Sequence, residues 1–193
     1  MVQSELNRGG EKMEKVYETR HVYMAIAIVV LLISPILLLI IPSNVADTLY
    51  FSPDNWGVIV PGKGYVAYII AFLFLLLAPA TLFFLDIKRI SIIFSLIFLL
   101  TSGVFFYYAS LTYTALSNDS ISFRTLFSQE QHIYLWEEID KAFYYDRLPG
   151  DGFPEFVFIF IDGNRLRLTE NGHVKELSGG IRSMANVEYI GVD

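Results

Sequence analysis

The sequence predicts an α-helical membrane bundle of three transmembrane helices followed by a small α+β domain. Three observations predict this fold class. The chain has 193 residues, of which 54% are hydrophobic, and its mean hydropathy of +0.48 is too high for an ordinary water-soluble domain. The apolar residues are concentrated in three blocks instead of being spread evenly. After the third block, apolar and polar residues alternate, as is typical of β-strands.

Each apolar block has the length and composition of a membrane-spanning helix. A helix needs about 20 uncharged residues to cross roughly 30 Å of hydrocarbon. The blocks that meet this requirement are residues 22–41, 65–85 and 90–116. The third block is longer than necessary, so we expect it to tilt or to end with Tyr113 and Thr114 in the membrane interface. Residues 1–21 then form a cytoplasmic tail, and residues 117–193 form the soluble domain.

Two alternatives concern the amino terminus. The first block could be a cleaved signal peptide, although its apolar run exceeds the roughly 7–15 residues usual for a signal core. The true first residue could be Met13 instead of Met1, because codons for Arg8-Gly9-Gly10-Glu11 are purine-rich in the manner of a bacterial ribosome-binding site. A start at Met13 does not change the predicted orientation, since Lys15 and Arg20 remain in the tail.

The basic residues predict the orientation of the spans. Lys and Arg in short loops are retained in the cytoplasm far more often than they are translocated. Three spans place the tail and the turn after residue 85 on one side, and together these segments contain Arg8, Lys12, Lys15, Arg20, Lys88 and Arg89. The opposite side has Lys63 in the 42–64 loop and Arg124 soon after the third span. We therefore predict a multi-pass cell-membrane protein with a cytoplasmic amino terminus and an extracytoplasmic carboxyl-terminal domain.

Residues 117–193 predict a small antiparallel sheet packed by one helix. The predicted strands are residues 120–127, 133–136, 142–145, 156–161, 165–168 and 187–192. Asp162-Gly163 predicts a two-residue hairpin turn in which both residues have positive φ. Apolar residues recur at helical spacing at Val174, Leu177, Ile181 and Met184. Gly179-Gly180 within this helix costs about 2 kcal/mol relative to two alanines.

The predicted domain is acidic. Residues 117–193 contain seven Lys or Arg and thirteen Asp or Glu, so their net charge of −6 equals that of the whole chain. A domain of this charge repels nucleic acid and anionic lipid headgroups, and we expect neither as a ligand. The expected partners are the lipid bilayer and a protein whose identity the sequence does not indicate.

No residue pattern predicts a catalytic, cofactor-binding or metal site. The chain has no cysteine, which excludes disulfides and thiol catalysis. The histidines are too scattered to suggest a metal site; they are His21, His132 and His173. Glu137, Glu138 and Asp140 could serve as acid or base, but no nucleophile accompanies them, so a solvated turn is the preferred interpretation. The three spans contain no ionisable residue that would mark an ion path, so we expect a protein that is not an enzyme.

The order of elements in the soluble domain resembles a known family. An extended Ile121-Ser122-Phe123 opening precedes Tyr134-Leu135-Trp136, which Glu137-Glu138-Ile139 follows directly. An apolar strand, Asp162-Gly163 and a closing helix come next. Over residues 118–185 this order resembles the bacterial pleckstrin-homology-like (PH-like) domains found behind membrane helices. The resemblance implies a scaffold or interaction domain without shared catalytic residues.

These observations predict a non-catalytic membrane protein whose soluble domain mediates protein interaction. An envelope complex subunit, a sensor and an immunity-type protein all fit this description. The uncharged spans and the acidic sheet domain favour it. The alternative is an accessory subunit of a membrane enzyme or transporter, with chemistry at the outer face near Asp47, Asp54 and residues 137–140.

Overall fold

Three long helices make up the first part of the protein. A computed structural model describes residues 19–128, 130–147 and 152–190, so the predicted tail at 1–21 and the proposed start at Met13 lie largely or wholly outside the described residues. The helices are α1 (Thr19–Tyr50), α2 (Gly62–Phe84) and α3 (Arg89–Ser110). All three are long and apolar enough to cross a membrane, which confirms the predicted set of apolar helices.

Helix α2 is the central member of the bundle. It packs against both α1 and α3, which touch each other much less. The Ser102 hydroxyl of α3 donates a buried hydrogen bond of 2.8 Å to the Ala71 carbonyl of α2. Ala67, Tyr68 and Ala109 form the buried centre of the α2–α3 contact. The two alanines let the helix backbones approach closely.

The turn between α2 and α3 contains a cluster of charged residues. Asp86 has a positive φ of 56°, which helps the chain reverse direction between the helices. Its carboxylate lies 3.6 Å from the Arg20 guanidinium of α1 and 3.8 Å from the Lys88 ammonium. Arg20 and the turn therefore lie at the same end of the bundle. Because all three side chains are exposed, these ion pairs contribute little stability.

Two helices end at residues other than the predicted ones. Helix α1 continues past residue 41 and through Pro42 to Tyr50, so its 32 residues extend about 48 Å, beyond the roughly 30 Å of hydrocarbon. Helix α3 ends at Ser110 instead of residue 116. The chain then enters strand β2 (Tyr113–Ser117), which is largely buried and supplies Leu116 to the core of the domain. Sequence hydrophobicity alone does not distinguish a buried strand from the last turns of a membrane helix.

The strands form two sheets of four strands each. Besides β2, the first sheet contains β1 (Asn55–Ile59), β3 (Ser120–Arg124) and β4 (His132–Leu135), in the order β1-β2-β3-β4. The second sheet contains β5 (Ile139–Tyr145), β6 (Glu155–Phe160), β7 (Arg165–Thr169) and β8 (Val187–Ile190), in the order β7-β6-β5-β8. Helix α4 (Gly172–Met184) connects β7 to β8.

The predicted mixture of one helix and antiparallel strands is confirmed, but two details of the sheet prediction are wrong. There are two sheets instead of one, and β8 pairs with β5 in parallel. A parallel pair needs a crossover connection, and α4 supplies part of it. Trp136 lies at the corner where the first sheet passes into the second, and its indole N–H donates to the Ser117 carbonyl at 3.0 Å.

The core of the domain lies between the two sheets and α4. Its largest fully buried side chains are Leu116, Ile121, Phe156, Phe158, Phe160 and Ile181. The three phenylalanines alternate along β6 because successive side chains of a strand point to opposite faces. This strand therefore supplies an aromatic row to the centre of the core.

The hairpin predicted at Asp162-Gly163 forms, with a different turn from the one expected. Gly163 has a φ of 85°, whereas Asp162 is outside the positive-φ region. The Gly163 N–H donates to the Phe160 carbonyl at 2.8 Å, and the Phe160 N–H donates to the Asn164 carbonyl at 2.9 Å. This pattern is a three-residue loop that ends in a left-handed glycine, so the two-residue turn is wrong.

Strand β1 comes from the segment between α1 and α2, which the sequence predicts as an irregular outer loop. It pairs antiparallel with β2, so that Gly57 faces Leu116 and Ile59 faces Thr114. The His173 ring of α4 lies 3.1 Å from the Val58 carbonyl and adds a further contact. The outer loop is therefore part of the domain, because it completes the first sheet.

Glycines on both surfaces allow α4 to pack closely on β1. A Cβ atom at Gly57 would lie 2.6 Å from Leu177 Cδ1, and a Cβ atom at Gly180 would lie 3.0 Å from the Trp56 ring. The space beside each glycine is filled by a large side chain of the other element. This contact gives a physical reason for Gly180, which the sequence shows only as a residue that destabilises its own helix.

We expect opposite effects from substitutions at the two adjacent glycines of α4. Gly180→Leu should lower the free energy of unfolding by about 1–3 kcal/mol, because the new side chain overlaps the Trp56 ring. Gly179→Leu should raise it by up to about 1 kcal/mol, because Gly179 has open space around it and leucine favours a helix. Thermal unfolding in detergent, followed by tryptophan fluorescence, measures both. Equal effects of the two substitutions would contradict the close packing.

Candidate functional site: a basic cleft between the domain and the helices

A cleft lies where the domain meets the beginning of α2 and the end of α3. Its walls come from four parts of the chain: residues 61–63 at the start of α2, residues 112–114 after α3, residues 123–126 at the end of β3, and strands β6 and β7. We call it the junction cleft. Its volume of about 460 Å³ is within the range of roughly 300–1,000 Å³ that is typical of small-molecule sites.

The junction cleft is strongly basic. Its cationic lining residues are Lys63, Arg124, Arg165 and Arg167. None of these four forms an ion pair with a residue that the structure describes. The described lining contains one carboxylate, Glu155, which lies 2.8 Å from the guanidinium of Arg147. Because Arg147 offsets the charge of Glu155, the cleft has a net positive potential that attracts anions.

Strand β7 positions two of the cations. Its residues alternate between exposed and buried, so that Leu166 and Leu168 enter the core while Arg165 and Arg167 remain exposed. β7 is also an edge strand of the second sheet, and one side of its backbone is therefore unpaired within that sheet. The alternation thus presents two guanidinium groups along a single wall of the cleft.

A hydrogen-bond network holds the hairpin that leads into β7. The Tyr134 hydroxyl of β4 donates to the Asp162 carboxylate at 2.6 Å, and the Asn164 side-chain amide donates to the Tyr134 oxygen at 2.6 Å. The hydrogen bond from Tyr134, together with the Asn164 backbone N–H, lowers the pKa of Asp162. An ionised Asp162 strengthens these bonds, which link the two sheets beside the cleft.

The first turn of α2 adds backbone donors to the cleft. Pro61 is the N-cap residue and provides no side-chain hydrogen bond to the helix. The first N–H groups of an α-helix have no partner within the helix, and the helix dipole makes this end positive. No described residue accepts a hydrogen bond from the N–H of Gly62 or of Lys63. This end of α2 therefore reinforces the positive potential of the Lys63 side chain.

Two buried polar groups in the cleft wall have no hydrogen-bond partner among the described residues. Thr114 is fully buried, and its hydroxyl is unpaired; the Nε of Arg124 is also buried and unpaired. Leaving a buried donor or acceptor without a partner costs about 1–3 kcal/mol. Both residues line the cleft, so the cleft wall carries a local cost that the rest of the domain must offset.

The acidic residues considered in the sequence lie away from the junction cleft. Asp47 is exposed on α1, and Asp54 lies in the turn before β1. Glu138 has a structural role, because its carboxylate accepts a 2.7 Å hydrogen bond from the Leu135 N–H and caps the 3-10 turn at Trp136–Glu138. The histidines lie on α1, β4 and α4, and the described residues contain no group of three potential metal ligands.

The sequence gives little indication of the cleft. Its cations are dispersed from Lys63 to Arg167, and three of the four belong to a segment with a net charge of −6. The alternation of arginine and leucine in β7 is the one local signal, and it is common in any strand with an exposed face. The site was missed because the fold brings distant residues together.

No family model matches this chain, and no curated protein matches it. The PH-like resemblance therefore remains a prediction. The geometry and charge of the junction cleft are the basis for the function that we propose.

Replacing Thr114 by valine should stabilise the ligand-free protein by about 1 kcal/mol. Valine has nearly the same shape as threonine and removes a buried hydroxyl that has no described partner. Thermal unfolding in detergent measures the effect. The matched control is Thr112→Val. The Thr112 hydroxyl donates to the Tyr108 carbonyl at 3.0 Å, so its removal should lower the free energy of unfolding. A loss of stability in Thr114→Val would show that the hydroxyl has a partner within the protein.

Proposed function

We propose that this chain is a non-catalytic multi-pass membrane protein whose PH-like domain is an interaction module that binds an anionic group in the junction cleft. The observation that carries this proposal is the set of four cations, without described ion-pair partners, around a cavity of about 460 Å³. Guanidinium groups bind phosphate and carboxylate oxygens through charge-assisted hydrogen bonds. The uncapped first turn of α2 favours the same kind of ligand.

The chemistry of the cleft supports binding more than catalysis. A general base must be able to accept a proton from the substrate, which usually requires a carboxylate or a neutral imidazole within hydrogen-bond reach. Among the described lining residues, Glu155 is the carboxylate, and the Arg147 guanidinium lies 2.8 Å from it, so this oxygen is already engaged. The remaining ionisable lining residues are cations, which can hold an anion without transferring a proton.

The position of the cleft suggests how binding could be communicated. Its cations lie on separate elements: Lys63 on α2, Arg124 on β3, and Arg165 and Arg167 on β7. A ligand that contacts all of them would pull the two sheets and the beginning of α2 together. This arrangement suits a sensor or a subunit of a larger membrane complex, in which a binding event on the domain must reach the helices.

We also propose the orientation in which the amino terminus is cytoplasmic and the domain lies outside the cell membrane. Arg20, Lys88 and Arg89 lie at one end of the bundle, close to Asp86, and the domain lies beyond the other end. Basic residues near the ends of spans favour the cytoplasmic side. Arg165 and Arg167 of the cleft lie far along the chain from α3, where they have little influence on insertion.

Phosphate should stabilise the protein through the junction cleft. A ligand that binds the folded state raises the free energy of unfolding by about 2.7 kcal/mol at 100 times its dissociation constant. The midpoint of thermal unfolding in sodium phosphate should therefore exceed that in sodium chloride of equal ionic strength. The double substitution Arg165→Gln and Arg167→Gln should abolish this difference. The control variant Lys141→Gln with Lys175→Gln removes the same charge outside the cleft and should keep the difference between phosphate and chloride. Equal responses of the two double variants would contradict anion binding in the cleft.

Cysteine labelling tests the orientation on a background without native cysteines. Single cysteines at Glu176 and Lys88 are suitable, because the side chains there are 81% and 74% exposed. In intact cells an impermeant maleimide should label the cysteine at position 176 and not the one at position 88. Permeabilised cells provide the control, since both positions should then react. If only position 88 were labelled in intact cells, the orientation would be the reverse of the one that we propose.

A further inference from the structure

We propose that the anionic group bound in the junction cleft is the phosphate of an anionic membrane phospholipid, taken from the leaflet on the side of the domain. This inference rests on the function proposed above and identifies the source of the anion. Two observations favour a lipid over a soluble anion: the depth of the cleft and the apolar surface beside it.

The cleft lies at the depth of lipid headgroups. Helix α2 has 23 residues, a length of about 34 Å, which is close to the roughly 30 Å hydrocarbon thickness of a bilayer. Gly62 and Lys63 begin this helix, and Thr112 follows α3 by two residues, so these lining residues lie at the boundary of the hydrocarbon. Headgroups occupy the next several ångströms, since they widen the bilayer to about 40–45 Å.

An apolar surface adjoins the cations of the cleft. Leu126 lines the cleft and also packs against the buried cluster of the α2–α3 contact. The next residue, Phe127, is 56% exposed and has a positive φ of 63°, which is uncommon for a bulky residue. Its ring centroid lies 5.1 Å from that of Tyr108 and 6.1 Å from that of Phe105, both on α3.

This loop places an exposed aromatic side chain against a predicted membrane helix, where aromatic residues favour the interface. A phospholipid joins a charged phosphate to apolar acyl chains through a short glycerol unit. The protein has surfaces that match both parts of such a lipid. The cations of the junction cleft would face the phosphate, and the apolar Leu126-Phe127 loop beside them would face the chains. A free phosphate ion would use the cations and leave the apolar part unused.

The charge of the domain does not oppose this assignment. The expectation that anionic headgroups are repelled rested on the net charge of −6 for residues 117–193. Charges separated by more than a Debye length, about 8 Å at physiological salt, are largely screened where they are exposed to solvent. A headgroup phosphate in the cleft would therefore respond mainly to Lys63, Arg124, Arg165 and Arg167.

The net charge of the headgroup should also matter. Phosphatidylcholine and phosphatidylglycerol have the same phosphodiester, but the choline group adds a positive charge. The one described carboxylate that could bind choline, Glu155, is engaged by Arg147. The cleft should therefore prefer phosphatidylglycerol to phosphatidylcholine.

Native mass spectrometry of the full chain in detergent tests this preference. The delipidated protein is titrated with phosphatidylglycerol and, separately, with phosphatidylcholine, and the fraction of lipid-bound protein gives each affinity. We expect the wild type to bind phosphatidylglycerol at least about tenfold more tightly, and Arg165→Gln with Arg167→Gln to lose this preference. The control pair Lys141→Gln with Lys175→Gln should keep it. Lys63→Gln, at an exposed position on α2, should weaken phosphatidylglycerol binding and serves if the arginine variant does not fold.

The outcomes separate this inference from the function on which it rests. If phosphate stabilises the protein through Arg165 and Arg167 while the lipid preference survives their substitution, the cleft binds a soluble anion and the lipid assignment is wrong. Equal loss of the preference in the control pair would show a general charge effect and would also overturn the assignment. If neither phosphate nor phosphatidylglycerol binding depends on the cleft cations, both proposals fail.

Discussion

The pairing of β1 with β2 is the interaction on which the rest of the structure depends. β1 is attached to α1 on one side and to α2 on the other, so the first sheet includes a piece of the helical region. Contacts around it strengthen this link: the Tyr50 ring stacks on Tyr113 at 3.5 Å, and the Asn55 side-chain amide donates to the Tyr50 carbonyl at 3.0 Å. Without β1, α4 would lose the surface that it packs on, and the start of α2 would no longer close one side of the cleft.

The junction cleft combines features that individually oppose folding. Like charges are brought together, a threonine hydroxyl is buried without a described partner, and the first turn of a helix is left without a side-chain cap. The aromatic core and the two sheets provide the stability that tolerates these costs. Such local costs are common at binding sites, where the ligand supplies what the protein lacks.

The sequence predicts the elements of this protein better than their connections. The three apolar helices follow from the length of their uncharged runs. Most strands and α4 follow from periodicity, because burial on one face imposes a period of 3.6 in a helix and 2 in a strand. The end of α3 could not be located, since Tyr113–Ser117 is as apolar as a helix end. β1 could not be predicted from Asn55–Ile59 alone, because its partner lies far along the chain. The cleft depends on where α3 ends and on the pairing of β1, so local sequence patterns could not predict it either.

The location of β1 between two predicted spans has a consequence for biosynthesis. β1 emerges from the ribosome well before β2, and α2 and α3 are made in the interval. If α2 and α3 span a bilayer as predicted, the two strands can meet only when both helices insert as a hairpin, which delivers the strands to the same side. A chain in which just one of them inserted would leave β1 and β2 on opposite sides, each with an unpaired edge. For helices that span the membrane as predicted, pairing of β1 with β2 would thus require that both α2 and α3 have inserted.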